Sequence, residues 1–492
     1  MAGKFNFALM LMTVLMLLVS GCELPEVENP NDPDSGDVFS RSQNVRTRTD
    51  SLLNSWFMTV HAFEGMALPL LTAADAGTSP NGYGYPYSKE PRIEYNNHPS
   101  FSFALHNEKY YNSLYITLSE ANDILSILKN QELDFSADET AMTEAMARFV
   151  QGVCLGYLGL VYDKAFIVTD ETELSKMPGT PSPWREVINA AVSSLEKAAE
   201  VCSNSNFTIP SKWLPGEQWN SGEFKRLANS FAARMIVYSS RNKTDDIAAN
   251  WEKVYEYASD GIEKDFAPLA DDDTWYSSYH SYANYLSYTA TDMYVVNMMD
   301  PAMPSRWVDE NTWDILPEPV TTHKDGVDDR IFTDFQYLNS CSFRPDRGYY
   351  LFSCYRCKRF DQYLQTETEP MPEFRKVEND YLLAEAAART GKLQEAADII
   401  NSSPRVTRGG LPPVPVEMDS IMEAIHHERM VELMNTGFGI QFFQMRKENK
   451  LQPGSPLHYP IPGSQLEIMN MDYYTFGGET GVPGTDFSTG GW

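Results

Sequence analysis

The chain of 492 residues is poor in cysteine, with six residues of this type. A fold held together by disulfide bonds would need many more in a chain of this length. Cys354 and Cys357 form a lone C-x-x-C pair, whereas a zinc site needs a second pair of ligands and a redox motif needs a βαβ context. We therefore predict no metal site, and interpret the pair either as two half-buried thiols or as a local disulfide.

Positive charge is also scarce. Lysine and arginine together number 39, against 68 aspartates and glutamates, which leaves a net charge of −29. A chain this acidic repels the phosphate backbone of nucleic acids and the surface of anionic lipids. We therefore expect no nucleic-acid partner and no electrostatic docking on a membrane.

Catalytic motifs are missing from the sequence. It contains no HExxH, no GxSxG, no Walker loop and no GxGxxG after a predicted strand. His426-His427-Glu428 lacks the second histidine of a zinc helix, and Asp271-Asp272-Asp273 lacks the glycine and the final glutamate of an EF-hand. We therefore predict a protein that is not an enzyme and that needs no cofactor.

A long hydrophobic run occurs only near the start, where residues 5–22 carry no charge. Its apolar core, 8–19, is shorter than the roughly 20 residues of a membrane span and suits a secretory signal peptide over residues 1–21. The sequence Val19-Ser20-Gly21-Cys22 resembles a bacterial lipobox, which implies diacylglycerol on the Cys22 thiol and a palmitate-type acyl anchor. The alternative is an ordinary signal peptide with an incidental cysteine.

An acidic segment follows, which we interpret as a solvated tether over residues 22–40. Between Glu23 and Asp37 the chain has six acidic residues, three prolines and no lysine or arginine. Such a composition cannot bury enough apolar surface to fold. An acidic run directly after a lipid-bearing cysteine also resembles the surface-export signal of some Gram-negative lipoproteins. These features together predict a lipid-anchored protein that is exposed on the cell surface.

Patterns typical of amphipathic helices dominate the rest of the chain. Apolar residues recur every three or four positions in four segments, 110–129, 143–162, 184–202 and 223–240. Glycines among large residues in 143–162 predict close helix packing. The clearest helix pair spans 373–404, where Ala384, Gly391 and Ala396 have the spacing of a tetratricopeptide (TPR) repeat. We therefore predict a mainly α fold, built as an array of about four TPR-like helix pairs.

Two stretches break the helical pattern. Residues 75–109 are rich in glycine, proline, tyrosine and asparagine, and residues 271–360 combine prolines with dense aromatics. Both are too long to be simple connections, so we expect them to be functional. The predicted organisation is a signal peptide at 1–21, a tether at 22–40, a helical region at 41–270 that includes the loop 75–109, an irregular ligand-binding insertion at 271–360, a C-terminal helical region at 361–470, and a poorly packed glycine-rich tail at 471–492.

The C-terminal region carries a series of motifs in a specific order: Tyr381-Leu382-Leu383-Ala384-Glu385, Arg408-Gly409-Gly410, Glu428-Arg429, Phe443-Gln444-Met445-Arg446 and Tyr459-Pro460-Ile461-Pro462. With Asp328-Asp329-Arg330 and the early helix around Asn112 and Tyr115, this order resembles the SusD/RagB family of surface nutrient-binding lipoproteins. The resemblance implies a lipoprotein in the outer membrane of a Gram-negative bacterium. Its expected function is to bind an oligosaccharide without catalysis and to deliver it to a TonB-dependent, SusC-like transporter.

The resemblance is incomplete at three positions. The family usually has an acid before Gly437, an arginine two residues after it, and an aspartate in the next helix. This chain has Thr436, Gly439 and Gln444 at those positions. We therefore expect an altered local polar network within a retained fold. Three charged residues nearby have the spacing of ion pairs within one helix, and we interpret them as structural: Glu428, Arg429 and Glu432.

An excess of aromatic residues marks the insertion, since seven tryptophans and tyrosines fall between Trp275 and Tyr294, where the chain average of 12% predicts about two or three. Flat rings can hold the apolar face of a sugar and polar residues its hydroxyl rim, but the same spacing also suits a helix packed in the core. Both alternatives stay open. The candidate ligand-binding residues are Trp275, Tyr276, Tyr279, Tyr282 and Trp307 for stacking, Asp75, Asn81, Arg92 and Arg306 for polar contacts, and Tyr83 and Tyr85 on the early loop.

Two further functions fit the same sequence. A lipoprotein of this type could import peptides, because aromatic residues also hold extended peptides. A TPR-type adaptor would instead bind segments of other proteins in its concave groove. The first shares the predicted site with the oligosaccharide binder, whereas the second does not use it.

Overall fold

The computed structural model describes residues 42–79, 90–173, 175, 179–285, 288–307, 319–340 and 352–492, and the described chain is mainly helical. The predicted signal peptide, Cys22, the tether, Asn81, Tyr83 and Tyr85 lie outside these residues. The helices are α1 (Ser42–Val60), α2 (Ala67–Ala73), α3 (Ala104–Asn130), α4 (Ala137–Val161), α5 (Trp184–Ser203), α6 (Ser221–Ser239), α7 (Lys243–Ile247), α8 (Trp251–Ser259), α9 (Ser278–Asn284), α10 (Met293–Met299), α11 (Arg330–Thr333), α12 (Asp361–Thr366), α13 (Lys376–Arg389), α14 (Leu393–Ser402), α15 (Pro404–Thr407), α16 (Met418–Val431), α17 (Ile440–Lys447) and α18 (Gly463–Ile468).

The long helices pack as pairs, which confirms the predicted TPR-like array. Helix α1 packs on α3, α4 on α5, α6 on α8, and α13 on α14, and further contacts join each pair to the next. Side-chain caps fix several helix starts, because Ser136 accepts the backbone N–H of Glu139 and Asn220 forms a capping box with Glu223. The turn between α13 and α14 uses Gly391 at φ +85°, a conformation that favours glycine.

The glycines of α4 lie where neighbouring helices come closest. A Cβ on Gly152 would meet Leu195 Cγ at 2.7 Å, and one on Gly159 would meet Ile188 Cδ1 at 2.9 Å. Both neighbours belong to α5, so the close packing predicted for 143–162 is confirmed. The tight packing that this approach permits offsets the helix propensity of about 1 kcal/mol that glycine loses against alanine.

Strands are few and short in the described residues, and each pair is antiparallel. The pairs are β1 (Gly77–Thr78) with β5 (Ala290–Thr291), β2 (Lys164–Ala165) with β3 (Ser182–Pro183), β4 (Leu269–Ala270) with β8 (Glu369–Pro370), and β6 (Phe335–Tyr337) with β7 (Tyr355–Cys357). The β1–β5 pair joins the early loop to the region 271–360, and β4–β8 joins the residues just before that region to the C-terminal helices. The predicted division of the chain into six segments stays a prediction.

The tail at 471–492 is better packed than its composition predicts. The backbone N–H of Tyr95 donates to Phe476 O at 2.8 Å, and the indole of Trp492 stacks on Tyr294 with 4.4 Å between ring centroids. The Trp492 indole N–H also donates to Asp75 at 2.8 Å. Glycine at several tail positions permits positive φ rather than disorder, so the prediction of a poorly packed end is wrong.

Buried charges hold the C-terminal helices together. Arg330 is fully buried and pairs with Asp328 at 2.6 Å, Glu428 at 2.7 Å and Glu432 at 2.9 Å. Burial raises the pKa of Glu428, but Arg330 and His427 outweigh burial and leave that pKa well below its ordinary value. Glu428 therefore stays ionised inside the protein because a cation accompanies it.

The ion pairs predicted within one helix are wrong. Arg429 pairs with Glu385 of α13 at 2.5 Å, and Glu432 pairs with Arg330, so both reach other elements. Arg429 also donates to Gln444 Oε1 at 2.8 Å. Gln444 therefore still takes part in a polar network at a position where an aspartate was expected, because its amide oxygen accepts the same kind of hydrogen bond.

Cys354 and Cys357, interpreted above as half-buried thiols or a local disulfide, are both buried. No helix among the described residues is both long enough and apolar enough to cross a bilayer.

Candidate functional site

Helix α9 divides the predicted aromatic series between the core and the surface. Its inward face carries Tyr279, His280, Ala283 and Asn284, all buried. Tyr282 on the same helix is half-buried, and Tyr285, directly after it, is 52% exposed. The two alternatives for this segment, platform and core, thus each describe part of it.

Three half-buried rings and one exposed ring form a continuous aromatic surface. Phe63 and Tyr282 are stacked, with 4.2 Å between ring centroids and 16° between planes. The Tyr282 ring lies 4.7 Å from that of Tyr288, which lies 5.9 Å from that of Tyr285. We call Phe63, Tyr282, Tyr285 and Tyr288 the aromatic surface.

A pocket of about 320 Å³ opens beside this surface and shares Phe63 with it. Its wall includes the half-buried Tyr276, so we call it the Tyr276 pocket. An ion pair between Lys109 and Glu64 borders it, and both side chains are partly exposed. The polar and aromatic residues that line it include Phe63, Glu64, Lys109, Ser113, Tyr276 and Ser278. A pocket with ring faces, hydroxyls and one ion pair suits a ligand that is part apolar and part polar.

Backbone contacts fix α9 against the end of α1. The Phe63 N–H donates to Ser278 Oγ at 3.0 Å, and the Tyr279 N–H donates to His61 O at 2.7 Å. Ser277 N–H donates to the hydroxyl of Tyr363 at 2.8 Å. Because these bonds join three distant parts of the chain, the ring of Tyr282 is held on that of Phe63.

A buried chain of hydrogen bonds lies beneath the aromatic surface. His280 Nε2 donates to Asn435 O at 2.8 Å, so its Nδ1 accepts the Ser277 hydroxyl at 2.7 Å. Ser277 Oγ also forms a hydrogen bond with His61 Nδ1 at 2.9 Å, and His61 Nε2 forms one with Glu373 at 3.2 Å. Burial and the nearby His61 lower the pKa of His280 to about 3, which keeps its ring neutral.

Three of the predicted stacking residues are in the core. Trp275 is 4% exposed and packs on Phe57, Tyr279 is 5% exposed, and Trp307 is 4% exposed. The hydroxyl of Tyr279 donates to Asn435 at 3.1 Å, and the indole N–H of Trp307 donates to a backbone carbonyl at 2.8 Å. Their rings have no open face, so the platform prediction is wrong for these three, whereas Tyr276 and Tyr282 lie at the surface.

The predicted polar residues that the structure describes lie away from the Tyr276 pocket. Asp75 and Arg92 are buried and pair with each other, and Asp75 also accepts the Trp492 indole. Arg306 pairs with Glu90. The prediction that Asp75 and Arg92 hold a ligand is wrong in this conformation, because a buried charge needs a partner and each supplies it to the other.

Comparisons with known proteins agree on one family. The model of the SusD family matches residues 228–446. The predicted resemblance to the SusD/RagB family is confirmed. No curated protein sequence matches the chain.

Solved structures share the SusD-like fold. A SusD superfamily protein from Parabacteroides distasonis has a TM-score of 0.61 at 13% identity, over 86% of this chain and 98% of its own. A SusD-like carbohydrate binding protein from Bacteroides fragilis has a TM-score of 0.57 at 14% identity, over 92% of this chain and 95% of its own. Another protein so described, from Bacteroides vulgatus, has a TM-score of 0.54 at 14% identity, over 91% and 93%. At such identities the likeness shows the fold.

Sequence reasoning missed part of this candidate site. Phe63 and Glu64 follow the end of α1, and Lys109 lies on α3, far along the chain from the aromatic segment. No motif or spacing connects these positions, because only the packing of α9 on the end of α1 brings them together. Tyr285 and Tyr288 belong to the aromatic series of the sequence but are not among the predicted ligand-binding residues.

Further concavities occur on the described helical body. One of about 580 Å³ runs along α3 and is lined by Tyr115, Ile116 and Phe166 among others. Another of about 360 Å³ lies between α5 and α8, near Trp184 and Tyr257. A third, of about 590 Å³, lies between α4 and α5, near Arg148 and Lys197. None of the three contains a residue from the aromatic segment 275–294, which is why we place the candidate site at the Tyr276 pocket.

Proposed function

We propose that this protein binds an oligosaccharide, without transforming it, at the Tyr276 pocket and the aromatic surface. The observation that carries the proposal is the stack of Tyr282 on Phe63 at the edge of a pocket that also exposes hydroxyl groups. The SusD family match and the carbohydrate-binding description of similar structures support it.

The chemistry of the site matches that of a sugar. A pyranose has an apolar C–H face that can lie on an aromatic ring, and a rim of hydroxyls that both donate and accept hydrogen bonds. Tyr276, Tyr282 and Tyr285 offer ring faces, while Ser113 and Ser278 border the pocket with hydroxyls. The aromatic surface extends beyond the pocket, so it can contact more than one sugar unit. Binding is expected to be weak per unit, because a shallow surface desolvates only part of the chain.

The proposal includes the place where binding occurs. Cys22 carries the lipid, the acidic tether spans the distance to the folded body, and the protein lies on the outer face of the outer membrane. A binder without a channel cannot move a nutrient across a membrane, so we propose that it delivers the ligand to a TonB-dependent, SusC-like transporter. The lipobox-like sequence and the family match support this part of the proposal.

Calorimetry with neutral and acidic oligosaccharides and with peptides tests the ligand class. We expect oligosaccharides to bind and peptides not to bind. The double variant Tyr276→Ala, Tyr282→Ala should lose binding, while Tyr255→Ala, at a half-buried ring on α8 away from the pocket, should bind as the wild type does. Binding of peptides alone would instead favour the peptide-import function. Equal binding by the double variant would place the ligand elsewhere.

Two experiments in cells test the anchor and the partner. Replacing Cys22 by alanine should abolish labelling with radioactive palmitate, and protease added to intact cells should cleave the wild-type protein. A pull-down from detergent-solubilised membranes should recover a large outer-membrane protein. Recovery of soluble partners alone would favour the TPR-type adaptor.

A further inference from the structure

We infer that the site selects uncharged oligosaccharides over acidic ones, and that Glu64 sets this preference by neutralising Lys109. The inference rests on the proposed function and names the class of ligand that the same site accepts. Its evidence is the distribution of charge around the Tyr276 pocket and the aromatic surface.

The tyrosines of the aromatic surface and of the Tyr276 pocket come from a segment without charge. Residues 274–291 contain no lysine, arginine, aspartate or glutamate, although 22% of the chain is charged. The segment supplies tyrosine, serine and threonine hydroxyls and asparagine instead. Such groups make neutral hydrogen bonds with sugar hydroxyls, but they give no counter-charge to a carboxylate or sulfate.

Two cations, one at the pocket and one in contact with the backbone of the aromatic segment, are already paired. Lys109 pairs with Glu64 at the pocket. Arg356, which donates to the backbone carbonyl of Asn284 at 3.4 Å, forms two bonds to Asp361 of 2.6 and 2.7 Å. A bidentate pair leaves Arg356 little capacity for a second anion. An acidic ligand would therefore have to displace a protein carboxylate from its cation.

Acidic residues directly precede this uncharged segment in the sequence. Asp271 accepts the backbone N–H groups of Asp273 at 2.9 Å and Trp275 at 2.7 Å, which fixes a turn with Asp272 and Asp273 exposed. Their charge adds to the overall net charge of −29. The field near the site is thus negative, and it opposes the approach of an acidic oligosaccharide at low salt.

Glu64→Gln on the full-length chain in detergent tests the inference. Plant cell-wall oligosaccharides, separated by anion exchange into a neutral and an acidic pool and labelled with an uncharged fluorophore, are passed over immobilised protein at low salt. We expect the wild type to retain the neutral pool and not the acidic one. The variant frees Lys109, so retention of the acidic pool should rise about two- to fivefold, the range that one exposed ion pair can supply.

Two further variants make the result specific. The double variant Glu64→Gln, Lys109→Gln should lose the gain, because the freed cation is removed. Glu171→Gln, which frees Lys197 from a similarly exposed pair elsewhere, should leave retention of the acidic pool as in the wild type.

The possible results separate the two proposals. Retention of the acidic pool by the wild type, or no gain in Glu64→Gln, would overturn the charge preference and leave oligosaccharide binding intact. Retention of neither pool by any variant would overturn the proposed function, and the preference with it.

Discussion

The ring of Tyr282 lies on the ring of Phe63, with 4.2 Å between their centroids and 16° between their planes. The two residues come from distant parts of the chain, one after α1 and the other on α9. Because both rings are half-buried, each has one part packed and another open to the surface. The stack therefore orients the open face of Tyr282, on which the proposed sugar contact depends.

Replacing Phe63 by alanine should weaken oligosaccharide binding about tenfold. The change removes the support under Tyr282, and aromatic pairs contribute about 0.5–1.5 kcal/mol, where about 1.4 kcal/mol corresponds to a factor of ten in affinity. Calorimetry on both proteins measures the effect. Phe63→Tyr keeps an aromatic ring and should restore most of the affinity. A loss of the same size in Phe63→Tyr would show that ring stacking is not the cause.

The helical architecture could be predicted because its cause is local. Apolar residues at intervals of three or four positions, as in 184–202, define a buried face whatever the partner is. Glycines such as Gly159 indicate close packing for the same reason, since a glycine within a helix needs compensation. The alternation that α4 shows is present in the sequence itself.

The site was harder to predict because its causes are non-local. Spacings of three residues put Tyr276, Tyr279 and Tyr282 in one series. The sequence of a short helix does not reveal which of its sides faces the core. The contacts of α9 with His61 decide it, and Tyr279 is buried as a result. The composition of the early loop likewise predicts that Asp75 makes polar contacts with a ligand. In the structure the Asp75 carboxylate is buried and pairs with Arg92 instead.

Replacing Arg330 by methionine should destabilise the protein by about 3–5 kcal/mol. The variant leaves Asp328, Glu428 and Glu432 in the interior without their shared cation, and removing one partner of a buried pair carries a cost of this size. Urea denaturation at pH 7 measures it.

The control for this change is Arg226→Met. Arg226 is partly exposed and pairs with Asp260 and Glu263 at 3.4 Å. Exposed pairs contribute about 0–1 kcal/mol, so the control should change little. If both variants lost the same free energy of unfolding, the buried ion pairs of Arg330 would stabilise the protein no more than an exposed pair does.

Stability should fall as the pH drops below about 6.5, and His280 should cause part of the fall. Its pKa is lowered to about 3 by burial and by His61, whereas an unfolded histidine titrates near 6.5. Between these values the unfolded chain binds a proton that the folded protein does not, so acid favours unfolding. His280→Gln should make the dependence of unfolding free energy on pH less steep between about pH 6.5 and 5.

Unfolded glutamates titrate near about 4.3, which is below this pH window. A change of slope within the window therefore reports the protonation of His280 and not that of the neighbouring Glu373. His323→Gln is the control, because its partner Asp329 raises the pKa of this exposed histidine, the opposite direction. That variant should not reduce the slope. If His280→Gln kept the full slope, the neutral ring assigned to His280 would be wrong.

Replacing Gly159 by alanine should destabilise the protein by about 1–2 kcal/mol, although alanine is the better helix former by about 1 kcal/mol. The new Cβ would lie 2.9 Å from Ile188 Cδ1 and 3.2 Å from the backbone nitrogen of Ile188, and the backbone of α5 cannot move aside alone. Gly156→Ala offers a contrast, because its Cβ would meet the sulfur of Met235, a flexible side chain that can adapt. Gly179→Ala, which meets no atom within 4 Å, is the control. Thermal unfolding should thus rank Gly159→Ala as the least stable of the three, and a stability at or above that of the control would show that α4 and α5 do not need this close approach.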